Sequence, residues 1–339
     1  MDGRLSRVAS RQESRVQGAR RRVGAVVQAV VLLILTLAVV ATLGTAAYAG
    51  WSLTHPGRKT VEDTPARVKA NFDTVEFPSV GDSTVLRGWF LPAPASDKTI
   101  ILAHGFAGNR LEKSVDALDL AHSLTGAGFN VLMFDFRNSG LSDGNMSTFG
   151  YKEMDDLLGA VRYLRASLPD KSKHIGVMGF SMGGVVALDA AAHEPNIEAV
   201  VADSPYADGE TYLRHHVAAW SGLPSFLTPL IMQSFATIGR IQLNEVNPLQ
   251  AMPSLTQHVF LIYGKGDEII GPENSQMLAA AARPGLVKTW EVPGTTPSWP
   301  SGVFPADSPA CYNVGARNVY KDDYDKRVTN FFRASLVKK

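Results

Sequence analysis

Gly179-Phe180-Ser181-Met182-Gly183-Gly184 sets a serine between glycines, after the apolar run Ile175–Met178 and before the helical spacing of Met182–Ala192. Strand, tight turn and helix in that order are what an exposed serine nucleophile needs. Glycine fits where the turn leaves no room for a side chain. The serine then sits at a helix N-terminus, where amides and dipole favour negative charge. Composition alone would give roughly 0.2 such matches in a chain of this size, so the placement carries the inference, not the pattern. The chemistry implied is acyl transfer through an acyl-serine. Its oxyanion would be held by the Met182 amide and one amide from the loop after an earlier strand. His104-Gly105-Phe106 follows the apolar run Thr99–Ala103, and the Phe106 N–H is the second donor expected. His104 precedes the nucleophile strand and reads as a loop-ordering residue rather than a base.

The elements that must position these groups follow from periodicity. Strands are expected at Val85–Leu91, Thr99–Ala103, Asn130–Phe134, Ile175–Met178, Ala199–Ala202, Val259–Tyr263 and Val287–Val292. Helices are expected at Val115–Leu124, Met154–Arg165, Met182–Ala192, Pro272–Ala282 and Asp322–Leu336. This alternation predicts an α/β fold, a mostly parallel sheet with helices on both faces. It lapses between Pro205 and Pro253. There an apolar segment, about 206–252, reads as a helical lid insertion above the strand carboxyl ends.

Thr99–Asn109, Asp135–Gly144 (D-F-R-N-S-G-L-S-D-G), the serine turn, Ala202–Pro205 (A-D-S-P) and Gly264–Asp267 together resemble an α/β-hydrolase. The branch they are most similar to is the serine-aminopeptidase or dienelactone-hydrolase-like group, many of which carry an N-terminal membrane anchor. The resemblance covers about residues 72–337. It implies an eight-stranded, mostly parallel sheet and hydrolysis of an ester, thioester or amide. Asn138 departs from the glycine frequent at that position, mildly, since asparagine tolerates left-handed turns. Asp267 stands where the family keeps its triad acid. Its other reading is a helix-capping aspartate before Pro272, and Asp203 is the fallback acid.

The family order of serine, acid, histidine breaks at its last member. The eight histidines are 55, 104, 122, 174, 193, 215, 216 and 258, and none follows Asp267. Trp290–Gly294 begins the family pattern after the last strand, then runs into Thr295-Thr296-Pro297-Ser298-Trp299-Pro300. The pattern resumes at Ala310–Ala316, with Asn313 where histidine would stand; counting from the strand instead gives Pro297. Neither residue takes a proton from serine at neutral pH. Three readings stay open: a degenerate hydrolase that binds but scarcely turns over, a base supplied by lid His215 or His216, or a disruptive insertion or sequence error around 295–312. The adjacent pair His215–His216 is a poor metal site, and lid surface is its plainer role. Against the hydrolase stands a binding or scaffold protein that keeps the fold; a haloalkane- or epoxide-type enzyme is excluded because its nucleophile is an aspartate.

The 339 residues carry 33 basic and 32 acidic side chains, net +1, which argues against a dedicated nucleic-acid binder. One cysteine, Cys311, excludes an internal disulfide and a cysteine-built zinc site. No cofactor or metal is called for. Residues 1–22 form a basic head, with seven arginines against Asp2 and Glu13, and residues 23–51 carry no charge. About 20 apolar residues cross a bilayer, and Tyr48 and Trp51 suit its interface. The segment reads as a single-pass anchor in the lipid bilayer, with its N-terminus cytoplasmic and its hydrolase domain extracytoplasmic. A cleaved signal peptide, with Ala47-Tyr48-Ala49 as its cleavage pattern, is the competing reading. Residues 52–72 read as a linker and 73–338 as the hydrolase domain. The substrate expected is a small molecule or an acyl or peptidyl group; the oligomeric state is open.

Overall fold

The computed structural model describes residues 2–293 and 315–337. Among them, β1 (Asp73–Pro78), β2 (Val85–Leu91), β3 (Lys98–Ala103), β4 (Asn130–Phe134), β5 (His174–Phe180), β6 (Ile197–Asp203), β7 (His258–Gly264) and β8 (Val287–Val292) form one eight-stranded sheet. Its order is β1-β2-β4-β3-β5-β6-β7-β8. β2 runs antiparallel to both β1 and β4, and every other pairing is parallel.

Ten α-helices accompany the strands among the described residues: α1 (Asp2–Thr54), α2 (Ala117–Gly126), α3 (Glu153–Ser167), α4 (Met182–His193), α5 (Gly209–Ser221), α6 (Thr228–Gly239), α7 (Pro248–Ala251), α8 (Pro272–Ala281), α9 (Ala316–Val319) and α10 (Lys321–Ser335). Strand periodicity divides the core in two. Ile101, Ala103, Val177 and Val200 face the α3–α4 side, and Ile100, Leu102, Met178 and Val201 face the α2–α10 side. Each Val, Ile, Leu or Met among them, taken fully from water, contributes about 1.5–3 kcal/mol. Burial on both faces explains why the central strands read as unbroken apolar runs.

β1 is the strand that periodicity did not set apart. Only Val75 and Phe77 point inward, and the rest of it is exposed edge. Before the domain, the segment read as a linker holds a single helical turn at Pro65–Val68. The segment around it lies on the domain: Asn109 Nδ2 donates to the Lys59 and Thr60 carbonyls at 3.2 and 2.9 Å, and Val61, Val68 and Phe72 pack on the α2–α10 side.

α1 has a stretch, Arg20–Thr54, long and apolar enough to cross a membrane, with mean hydropathy reaching 2.8. A signal sequence meets the same description. Its last turns pack along α6. Ala46 and Ala49 are buried there, and a Cβ on Gly50 would stand 2.6 Å from the Phe235 nitrogen. Small residues on one stripe let the two backbones approach this closely.

Parallel pairing brings the carboxyl ends of four strands level. Ala103 pairs with Gly179, Gly179 with Ala202, and Ala202 with Leu261. The loops after β3, β5, β6 and β7 therefore leave from one edge of the sheet, and that edge carries His104–Phe106, Ser181, Asp203 and Asp267.

Candidate active site

Ser181 joins β5 directly to α4 with φ 51° and ψ −118°. That conformation costs a non-glycine residue about 1–3 kcal/mol and persists only where the surroundings enforce it. The enforcement is visible. Ser181 N donates to the Asp203 carbonyl at 2.8 Å, and its own carbonyl accepts from Gly184 and Val185. A Cβ at Gly179 would overlap the Gly183 carbonyl, and one at Gly183 would overlap the Ala103 carbonyl. Both glycines are thus demanded by close approach of backbone to backbone, as the sequence pattern required.

Met182 N is the first amide of α4, and Phe106 N lies in the loop after β3. Neither donates to an acceptor among the described residues. Phe106 is held from its side chain, edge-on to Phe149 at 5.3 Å. Phe149 in turn stacks on Tyr206 at 5.0 Å and Tyr212 at 6.1 Å, so lid helix α5 and the β3 loop share one aromatic wall.

His104 is fully engaged. Nδ1 bonds the Gly105 carbonyl at 2.7 Å, and Nε2 accepts the Phe136 N–H at 3.0 Å. Accepting at Nε2 places the proton on Nδ1. Burial pushes its pKa down, so the ring is a neutral tie between two loops. It orders the loop, as its place before the nucleophile strand implied. Asp135 gathers the same region. It accepts from Arg110 N, Nε and Nη2 and from Leu141 N. A Cβ on Gly140 would overlap its carboxylate, and Asn138 takes the left-handed conformation at φ 54°. The D-F-R-N-S-G run is thus scaffold beneath the serine turn.

The two acids differ in what holds them. Asp203 is buried with both oxygens used: Ser204 Oγ donates to Oδ1 at 3.0 Å and Tyr324 Oη to Oδ2 at 2.6 Å. Burial pushes its carboxyl up to about 7. Tyr324, on the closing helix, had no signal in the sequence beyond being one buried aromatic of an amphipathic face. Asp267 follows β7 and is also buried, at 4% exposure. Its Oδ1 accepts from Ile269 N and Ile270 N, both at 2.9 Å, and its Oδ2 has no hydrogen-bond partner among the described residues. Burial raises its carboxyl to about 6, against the pull of those amides. Burial, and after it the charge of Asp267, raises the pKa of Tyr212.

A carboxylate whose folded pKa lies above its ordinary 3.8 binds protons more tightly when folded, so its contribution to stability is present at low pH and lost as pH rises through about 6. Asp267→Asn is therefore expected to stabilise the fold at pH 8 by on the order of 1–2 kcal/mol, the relieved charge being offset in part by the new unpaired amide. The gain vanishes below the ordinary carboxylate range. Urea unfolding of both proteins at pH 8 and near pH 4 checks it.

All eight histidines lie among the described residues. His174 and His258 begin β5 and β7, at the opposite edge of the sheet. His174 is about 23 Å of strand from Ser181. It is paired with Glu198 at 2.8 Å. His193 ends α4, about 18 Å of helix away. His122 lies on α2, and His55 stacks on Trp51. In the lid, His215 Nδ1 bonds the Thr211 carbonyl and His216 Nδ1 the Tyr212 carbonyl, each at 2.7 Å. Each uses its Nδ1 on the preceding turn of its own helix, and neither is hydrogen-bonded to Asp267. Asn313 and Pro297 lie outside the described residues. No group of three metal-ligating side chains occurs among the described residues.

A family model described as alpha/beta hydrolase fold matches residues 98–228. An uncharacterised protein of Escherichia coli strain K12, YfhR, is 31% identical over 218 residues, 62% of this chain and 68% of that one. The chain belongs to the α/β-hydrolase superfamily. YqkD of Bacillus subtilis, also described as uncharacterised, is 31% identical over 199 residues; the match spans 63% of its length and 57% of this chain. Among solved structures, an esterase from Pyrococcus furiosus superposes with a TM-score of 0.67 at 28% identity, over 84% of this chain and 99% of that one.

Proposed function

We infer that the protein is a membrane-anchored serine hydrolase acting on an ester, thioester or amide. Ser181 attacks the carbonyl, the Phe106 and Met182 amides receive the oxyanion, and water releases the acyl group. Asp267 is the acid that orients and stabilises an imidazolium. The observation that carries this reading is the pairing of a strained serine turn with a buried carboxylate whose one oxygen is unsatisfied. Asp203 is not assigned that role, because both its oxygens are already engaged. The esterase of similar fold supports the reaction class.

The base is the absent member. No histidine follows Asp267, so unaided turnover is slow, supported by the oxyanion amides and binding alone. The same observation favours a second reading, a binding protein that keeps the fold. The test is reaction of the full chain with a fluorophosphonate, beside Ser181→Ala and Asn313→His. Slow adduct formation at Ser181, quickened by Asn313→His, is the result expected. No adduct in any folded protein selects the binding protein.

The anchor reading rests on α1, whose large apolar side chains from Val23 to Leu43 are exposed. The basic head then lies in the cytoplasm and the hydrolase domain outside it.

A further inference from the structure

The packing of α1 on α6 has a direction. Gly50 lies against Ser234 and Phe235, and Thr54 lies against Gly239, whose added Cβ would stand 3.3 Å from Thr54 Cγ2. Four residues along α1 correspond to four or five along α6, so the helices run parallel with nearly matched rise. Buried Ala46 falls opposite buried Ile231 on the same register. Extended back, residue 230 of α6 stands level with about residue 45 of α1, and Phe226, in the turn before α6, with about residue 41.

The hydrocarbon core fixes what those levels mean. About 20 residues at 1.5 Å each span its 30 Å. Counted from Val23, just after Arg20–Arg22, the span ends near Leu43. Phe226 and Leu230 thus straddle the outer boundary of the bilayer that α1 would cross.

The exposed face of α6 is graded along the same axis. From the turn before α6 to the residue after it, the exposed residues are Pro224, Ser225, Phe226, Pro229, Leu230, Gln233, Thr237 and Arg240. Up to Leu230 they are apolar apart from Ser225; beyond it they are amide, hydroxyl and cation. Phe226 is 75% exposed and Leu230 37%, and α1 leaves Tyr48 and Trp51, its interfacial aromatics, exposed as well. A large exposed phenyl ring on a soluble lid has an unfavourable contact with water that a bilayer would remove.

We propose that α6 is a second membrane contact: Phe226, Pro229 and Leu230 sink into the leaflet that α1 leaves, fixing the lid against lipid. The occupant is the bilayer itself, and the proposal rests on the reading of α1 as an uncleaved anchor. It holds whether or not Ser181 turns over, so its failure and that of the hydrolase reading are separate.

The test uses the full chain with Cys311→Ser, reconstituted in phosphatidylcholine–phosphatidylglycerol vesicles containing a doxyl-labelled lipid. Single cysteines Phe226→Cys, Leu230→Cys, Thr237→Cys and Arg240→Cys carry a bimane fluorophore, with Tyr48→Cys as the anchor reference. On this register Tyr48 stands level with about residue 233, so quenching at 226 and 230 should be at least as strong as at 48 and exceed that at 240 at least about threefold, because residues 230 and 240 are about 15 Å apart along the helix. Equal, weak quenching at all four α6 positions, with 48 quenched, would overturn the proposal. So would a chain that does not float with the vesicles.

Discussion

Free imidazole is expected to accelerate acylation of Ser181 by an activated ester roughly a hundredfold, and Asp267→Asn is expected to abolish the acceleration. On the proposed reading the serine turn, the two amides and the buried acid supply every member of the site except a proton acceptor between serine and carboxylate. Asp267 has Oδ1 fixed by two backbone amides and Oδ2 unsatisfied, so one oxygen is available to an N–H donor. An imidazole that donates there presents its other nitrogen to the hydroxyl, and the imidazolium it becomes is stabilised by the carboxylate. Burial holds the Asp267 carboxyl up at about 6; the imidazolium would pull it down. Rescue therefore rises with pH through about 6–7 and then levels, as both acid and added base reach their working forms. The slope of rate against imidazole concentration, taken across pH, checks both statements.

Gly183→Ala is expected to cost at least about 3 kcal/mol of stability, whereas Gly184→Ala is expected to be nearly neutral. The two positions are adjacent in α4, so helix propensity favours alanine equally at both. Their surroundings differ. The added carbon at 183 would overlap the Ala103 carbonyl oxygen and stand 2.6 Å from its carbon and 2.7 Å from the His104 oxygen. These are backbone atoms at the end of a central strand, and they cannot turn aside as a side chain can. α4 would have to lift from β3, which also separates the Met182 amide from the Phe106 loop. At 184 the nearest atoms are 3.2 and 3.3 Å away, within reach of a small adjustment. Urea unfolding compares the pair, and loss of Ser181 labelling should follow Gly183→Ala alone.

Much of the fold was legible. Val85–Leu91, Asn130–Phe134 and Val287–Val292 appear with the bounds expected, because apolar runs between turn residues leave little choice of ends. β1 was not set apart, since two inward residues on an edge strand make too short an alternation. The serine turn was legible because its glycines answer a local steric demand. The partnership of Asp203 with Tyr324 was not: the two residues are 121 apart in sequence, and their contact depends on how α10 closes the sheet. Likewise the unsatisfied oxygen of Asp267 is a property of burial in three dimensions. The packing of α1 on α6 left only small residues at 46, 49 and 50, which an apolar helix carries for many reasons.

The absence of the base was read from the sequence by counting, and the fold adds position to the count. Of the eight histidines, His174 and His258 lie at the far edge of the sheet, His193 at the far end of α4 and His122 on α2, and His104 has no nitrogen to spare. His216 stacks on Tyr212 at 4.3 Å, and the pKa of Tyr212 is raised by burial and then by the charge of Asp267, so that ring is tied to the acid only through Tyr212.

The central claim is that Ser181 and Asp267 form a nucleophile and acid that lack only their imidazole. The most direct test is the rate of fluorophosphonate addition to the full chain, located by mass spectrometry, with and without imidazole. The account predicts one adduct, on Ser181, formed slowly alone and at least about tenfold faster with imidazole. An adduct formed equally fast without imidazole would contradict the missing base, and no Ser181 adduct under either condition would contradict the claim outright.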